Sequence, residues 1–277
     1  MAARVLGREL RRIREEAGYG LAQVARRLEK SQSTISRIET GQAPIRERDL
    51  RDLLAWYQVT DPQIVERLVS LRQDAQQPGW WRPYEDALPA GMATYAGLEV
   101  DATSIDAYEA TLVHGLLQTE DYARAVISSF SPASSQVDAL VRFRMERQRL
   151  LTRDPDPLRL SVVIDEAALR RPVGGPEVMA AQLVHLTQAA ARPNVTIQVL
   201  PMGVGAHVAM AGSFSVLSFT GIPPVAYVDS IAGNWSTEGA ADIDRLTRIF
   251  DEVRGAAADP VETPSILERL AKEMMQR

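Results

Sequence analysis

A short polar segment near the start of the chain carries side chains that suit the recognition of base pairs. A glutamine amide can pair with adenine through two hydrogen bonds, and an arginine guanidinium can pair with guanine in the same way. Gln32 and Arg37 supply these two groups, and Ser33, Thr34 and Ser36 supply short hydroxyls that suit phosphate or sugar. The alternative is that these side chains are merely solvated. DNA contact is favoured because the whole segment, and not one residue, fits that role.

Apolar residues at helical spacing predict the elements that hold this segment. Ser31 is a good N-cap for the helix that contains the segment, and Gly41 suits its C-terminal end. The second and third predicted helices are separated by a turn and form a helix-turn-helix, which presents the first side chains of its second helix to the major groove. The predicted helices are 3–16, 21–29, 32–40, 47–57 and one through Ile64, Leu68 and Leu71.

Segments 21–28 and 31–41 resemble the Xre-type family of phage-repressor-like DNA-binding domains. The resemblance covers roughly residues 4–60. It implies a structural ion pair between Arg14 of the first helix and Glu39, since an acid on a DNA-facing helix would otherwise repel phosphate. The chain departs from the family at Gly20 and Leu21, where Ser and Gln usually begin the second helix, and it thereby loses one phosphate contact.

The charge is unevenly distributed along the 277 residues. Residues 1–60 hold 12 basic and 8 acidic side chains, a net charge of +4, whereas residues 61–277 carry −9. This asymmetry is typical of a protein in which only the N-terminal region contacts a polyanion.

Composition excludes several other classes. The chain has no cysteine, which excludes disulfides, thiolate metal sites and cysteine nucleophiles. No apolar run approaches the ~18 residues of a membrane-spanning helix, and the first residues lack the apolar core of a signal peptide. We therefore expect a cytoplasmic protein without contact to a membrane.

The sequence predicts three parts: a DNA-binding domain over 1–72, an aromatic-rich linker over 73–97 and a C-terminal domain over 98–277. The linker contains Trp80 and Trp81. An aromatic linker more often packs against a neighbouring domain than swings freely, although the tryptophan pair could instead form a ligand platform.

The C-terminal domain is predicted to be α/β or α+β, with about four strands. Alternating and β-branched residues predict the strands. The predicted helices are 98–110, 119–129, 136–152, 176–191, 238–256 and 264–276, and the predicted strands are 158–164, 195–200, 213–219 and 225–229.

Nearly all of 78–277 resembles the C-terminal domain of a large actinobacterial family of Xre-type regulators. The matching segments are residues 115–123, 147–151, 165–175 and 182–186, and residues 195–201 together with 212–214. Such regulators are often encoded beside a small protein, so the resemblance implies a small protein partner. His114 departs from the family, which tends to have proline there.

Five residues of this domain are candidates for binding a ligand or partner. Asp165 and Glu166 follow a predicted strand, a usual place for functional carboxylates, but they could simply begin the next helix. Arg170 and Arg171 could bind an anion or mark a solvated turn. His207 lies in a glycine-rich loop that could gate a pocket.

No motif indicates an enzyme, a cofactor or a metal. The three histidines lack HExxH-like spacing, and the chain has neither a glycine-rich phosphate loop nor a G-x-S-x-G elbow. His185 is expected to be a packed histidine.

We therefore expect a sequence-specific transcriptional regulator, acting as a homodimer on a two-fold-symmetric double-stranded DNA operator. Its C-terminal domain would sense a signal or bind a partner protein. One alternative is an antitoxin-like interaction protein whose C-terminal domain mainly binds a small partner protein. Another is a DNA-targeted enzyme.

Overall fold

The computed structural model describes residues 2–76, 79–130, 134–228 and 235–276. The chain forms two compact units, 1–80 and 81–277. The boundary lies inside the predicted linker, which contains a 3-10 helix at Arg82–Ala87 and the start of the first helix of the C-terminal unit. Trp81 belongs to the C-terminal unit, where a Cβ at Gly97 would lie 3.2 Å from its ring.

The described part of the N-terminal unit is entirely helical. Each helix turns one apolar face inward, and these faces meet in one core that includes Leu10, Val24, Ile35, Leu50 and Leu68. The helices are α1 (Ala2–Glu16), α2 (Leu21–Arg27), α3 (Gln32–Glu39), α4 (Glu47–Trp56) and α5 (Pro62–Asp74). The predicted all-helical class of this region is therefore confirmed.

The C-terminal unit combines helices with one mixed sheet. Its described residues form six strands, more than the four that the sequence predicted, although the α/β class holds. The elements are α6 (Met92–Asp101), β1 (Ser104–Glu109), α7 (Glu120–Phe130), α8 (Ser134–Arg147), β2 (Arg159–Asp165), α9 (Glu166–Arg170), α10 (Pro176–Ala190), β3 (Val195–Leu200), β4 (Phe214–Ser218), β5 (Val225–Val228), β6 (Trp235–Thr237), α11 (Ala240–Ala256) and α12 (Thr263–Met275).

The strand order is β3-β2-β1-β4-β5-β6. Strands β1, β2 and β3 pair in parallel, while β4, β5 and β6 join them by antiparallel pairing. Helix α11 covers one face, where Tyr108, Val163, Val216 and Phe250 share a core. Helices α10 and α12 pack along each other and both contact β3.

Two predicted helices were wrong in part. Residues 98–110 are not one helix, because α6 ends at Asp101 and β1 begins at Ser104. Strand β1 lies between β2 and β4, and this central position buries Ile105 and Tyr108 on opposite faces of the sheet. Helix α8 stops at Arg147 and continues only as a 3-10 helix to Thr152.

Candidate functional site

Helix α3 is held in the N-terminal unit by its cap and its apolar side. Ser31 Oγ accepts a hydrogen bond from the Thr34 backbone N–H at 3.1 Å, as expected of an N-cap. The Thr34 hydroxyl lies 2.8 Å from the same oxygen, so it belongs to the cap. Ile35 and Ile38 are buried in the core. These contacts fix which side of α3 faces solvent.

The opposite side of α3 is exposed and polar. Gln32, Ser33, Ser36 and Arg37 are all exposed, and their positions i, i+1, i+4 and i+5 place them on one helical face. The structure thus brings four of the five predicted DNA-contact residues onto one solvent-facing surface, with Thr34 half-buried beside it. A face of this kind can enter a major groove and present its amide and guanidinium to base edges.

The structure also brings Arg14 and Glu39 together. Arg14 Nε donates to Glu39 Oε1 at 2.6 Å and Arg14 Nη2 to Glu39 Oε2 at 2.9 Å, while Nη1 donates to the Tyr19 carbonyl at 2.8 Å. The hydrogen bond to Glu39 raises the pKa of Arg14 against the effect of burial. The backbones of α1 and α3 also lie close together, since a Cβ at Gly7 of α1 would lie 2.5 Å from the Glu39 carbonyl oxygen of α3.

Helix α2 begins without a side-chain cap, as its departure from the family pattern predicts. Gly20 occupies the N-cap position, and its N–H donates to Gln23 Oε1 at 2.7 Å. Because Gly20 has no side-chain acceptor, the α2 N–H groups near it are left for solvent or phosphate.

Several basic side chains of the N-terminal unit are neutralised within it. Arg27 pairs with Asp52 at 2.6 Å and Lys30 with Asp49 at 3.3 Å. Other exposed arginines have a guanidinium group with neither an ion pair nor a hydrogen bond within the described ranges, and they are the cations available to an external polyanion. These are Arg8, Arg26, Arg37, Arg46, Arg48 and Arg67.

In the C-terminal unit, Asp165 and His207 meet at the end of β2. Asp165 Oδ2 accepts from the Tyr108 hydroxyl at 3.1 Å and lies 3.5 Å from His207 Nε2. Asp165 Oδ1 accepts from the Ala167 N–H, so Asp165 also caps α9. The carboxylate therefore has the helix-starting role that was the alternative interpretation, and it additionally anchors the loop that carries His207.

Glu166 and Arg170 form a separate cluster. Glu166 accepts from Arg170 at 2.6 Å and from the Met202 N–H at 3.0 Å, and Arg170 also pairs with Glu273 at 2.9 Å. Burial opposes ionisation of Glu166, but these hydrogen bonds outweigh it and lower its pKa. The Arg170 charge is thus used inside the fold, while Arg171 is exposed.

Sequence reasoning missed a cavity of about 610 Å³ in the C-terminal unit. It is lined by parts of α6, α7, α8, β4 and β5, and none of the five predicted ligand or partner residues lines it. Arg147 on its wall is almost completely buried and pairs with Glu99, and no local pattern of the sequence indicated this buried pair.

Comparison with protein families agrees with this division. Residues 5–68 match the family model of a helix-turn-helix domain, which supports DNA binding by the N-terminal unit. Residues 92–269 match a domain of unknown function, DUF5753. Because that match spans more than half of the chain, the protein belongs to the DUF5753 family. Comparisons with curated proteins and with solved structures gave no match.

No helix in the described ranges has both the length and the apolarity needed to cross a lipid bilayer.

Proposed function

We propose that the protein is an Xre-type, sequence-specific transcriptional regulator of actinobacterial kind, which acts in the cytoplasm as a homodimer. The observation that carries this proposal is the exposed face of α3, where Gln32 and Arg37 stand on a capped and well-packed helix. A single helix-turn-helix buries little surface on DNA, so two copies on a two-fold-symmetric operator supply the affinity.

The charge distribution also supports DNA binding by the N-terminal unit alone. The unpaired arginines around α2, α3 and α4 can neutralise phosphates, whereas the acidic C-terminal unit repels them. We assign that unit the role of sensing a signal or binding a partner, and the proposal includes no chemical reaction.

Genome-wide mapping of the sites bound by the full chain tests this proposal. We expect one enriched motif made of two inverted half-sites about one helical turn apart. The Arg37→Ala variant serves as the control and should change preference within each half-site. Absence of an enriched motif would overturn sequence-specific binding, and a single asymmetric half-site would overturn the homodimer.

An antitoxin-like interaction protein is the second candidate, and an exposed apolar loop favours it. Met202, Val204, Val208 and Met210 lie within nine residues, and their exposed fractions are 59%, 38%, 45% and 66%. Apolar side chains grouped on a surface loop often mark a protein interface.

Co-expression with the product of an adjacent small reading frame tests this candidate. Met202→Glu and Met210→Glu should abolish co-purification, whereas Met275→Glu should not, although Met275 of α12 is equally exposed. Equal retention of the small protein by all three variants would contradict an interface at this loop.

A further inference from the structure

The 610 Å³ cavity of the C-terminal unit has the size and lining of a small-molecule site. Ligand cavities usually have volumes of about 300–1,000 Å³, with mostly apolar walls and a few polar groups. The rings of Tyr95, Phe143, Phe214 and Tyr227 line this cavity together with aliphatic side chains from α7 and α8. The walls thus combine apolar and aromatic surface with polar groups, which suits a ligand that has an apolar or aromatic body and a polar group.

Two N–H donors on the cavity wall lack a strong acceptor in the described part of the chain. His114 is buried, and its Nδ1 accepts from the Leu116 N–H at 3.3 Å. Burial, together with the charges of Arg147 and Arg144, lowers the pKa of His114 to about 3. The neutral ring therefore carries its proton on Nε2, where it is a donor.

Arg147 provides the second donor. Its Nε and Nη2 both donate to Glu99 at 2.7 Å, whereas Nη1 has only the Met92 sulfur at 4.0 Å. A Cβ at Gly115 would lie 3.5 Å from Nη1, so glycine leaves this nitrogen uncovered. Donors that open onto a cavity without a strong protein acceptor favour a bound acceptor, because the ligand then supplies the missing hydrogen bond.

The charges around the cavity argue against an anion. Arg147 is neutralised by Glu99, its partner through two hydrogen bonds. Arg144 donates to Gln118 Oε1 at 2.8 Å, and Glu109 and Asp86 also line the cavity. The wall therefore offers donors without excess positive charge, which favours an uncharged acceptor such as a carbonyl oxygen.

We propose that this cavity binds an uncharged organic molecule that has an apolar or aromatic body and a carbonyl group, with the carbonyl oxygen accepting from His114 Nε2 and Arg147 Nη1. The proposal rests on the sensing role given to the C-terminal unit and names the chemical class that the unit senses.

Titration of the full chain with prodan, a neutral naphthalene ketone whose emission reports its surroundings, tests the site without DNA. We expect saturable binding of one prodan per chain with a blue shift of its emission. Leu112 is half-buried and lines the cavity, so Leu112→Trp should fill part of the cavity and weaken prodan binding at least tenfold. Val184→Trp, on a helix surface away from the cavity, should leave binding unchanged.

His114→Asn tests the donor, because asparagine keeps an acceptor for the Leu116 N–H and removes the Nε2 proton. We expect three- to tenfold weaker binding, the value of one hydrogen bond. No saturable binding, or equal effects of the two tryptophan variants, would overturn the site.

Competition by matched compounds tests the charge of the ligand. 2-Nonanone should displace prodan at lower concentration than nonanoate, and equal or better displacement by nonanoate would overturn the uncharged class. Because no DNA is present, loss of prodan binding would leave the DNA-binding proposal intact, and an absent operator motif would leave the cavity intact.

Discussion

Arg14 and Glu39 join the last turn of α1 to the last residue of α3 through a two-point ion pair. The side chains are each about 8% exposed, and the hydrogen bonds measure 2.6 and 2.9 Å. The pair lies at the opposite end of α3 from its capped N-terminus. It therefore holds the orientation of the helix, while Gln32 and Arg37 remain free for contact with DNA.

Glu39→Ala should strongly destabilise the N-terminal unit without changing base preference. Removing one partner of a buried pair leaves an uncompensated charge, which costs about 3–5 kcal/mol. Urea denaturation of the full chain should show this loss in the transition of the N-terminal unit. Arg14→Ala with Glu39→Ala should cost less than the two single changes added together. Additive losses would show that the side chains do not interact.

The exposed pair Arg12–Glu16 provides the matched control. Its hydrogen bond measures 2.8 Å, but its side chains are 51% and 63% exposed. Solvent screens such a pair, so Glu16→Ala should cost no more than about 1 kcal/mol.

Arg37→Ala should weaken binding to the preferred operator by about 1–3 kcal/mol and relax the preference at one base pair. The reason is the loss of a two-point contact with guanine. Competition binding against operators substituted at each position measures the effect. Arg67→Ala removes an exposed arginine from α5 and should leave base preference unchanged. An equal loss on all sequences would make Arg37 a phosphate contact.

The helical N-terminal unit could be predicted because its signals are local. Ser31 and Gly41 mark the ends of α3, and the apolar period places Ile35 and Ile38 inside. Strand β1 could not be predicted in this way. Its burial on both faces comes from its position between β2 and β4. The paired residues lie 55 positions further along the chain in β2 and 106 to 114 positions further in β4, and no local pattern encodes such pairing.

The same reason explains why the cavity was missed. The lining residues Tyr95, His114, Arg147, Ser215 and Tyr227 are far apart in sequence and meet only through the sheet and the helices packed on it. The face of α3 was predictable because one short helix supplies every residue. Asp165 and His207 were separate candidates in the sequence, and their contact could not be predicted because it depends on a long loop.

Arg46→Ala should reduce the salt dependence of DNA binding. Arg46 is exposed, lies at the N-cap of α4 and has no ion pair within the described ranges. If it neutralises one phosphate, the slope of log K against log salt should become shallower by about 0.9 per bound N-terminal unit, and affinity should fall equally on all DNA sequences. An unchanged slope would show that Arg46 does not contact the backbone. Arg248→Ala removes an exposed arginine from α11 of the C-terminal unit and serves as the control, with no expected change in slope.

His114 should make the C-terminal unit lose stability as the pH falls from 6.5 toward 5. Burial holds its folded-state pKa at about 3, below the unfolded value of about 6.5, so only the unfolded chain gains a proton in this range. The limiting slope is about 1.4 kcal/mol per pH unit. Urea denaturation at several pH values should show this slope in the wild-type protein and a smaller one in His114→Asn.

His185 provides the control. Its pKa is lowered by burial and, to a smaller extent, by the charge of Arg192, but it is only half-buried, so His185→Asn should flatten the slope less. Equal slopes for wild type and His114→Asn would mean that His114 takes up its proton in the folded state as well, and the donor assigned to its Nε2 would then need to be an imidazolium.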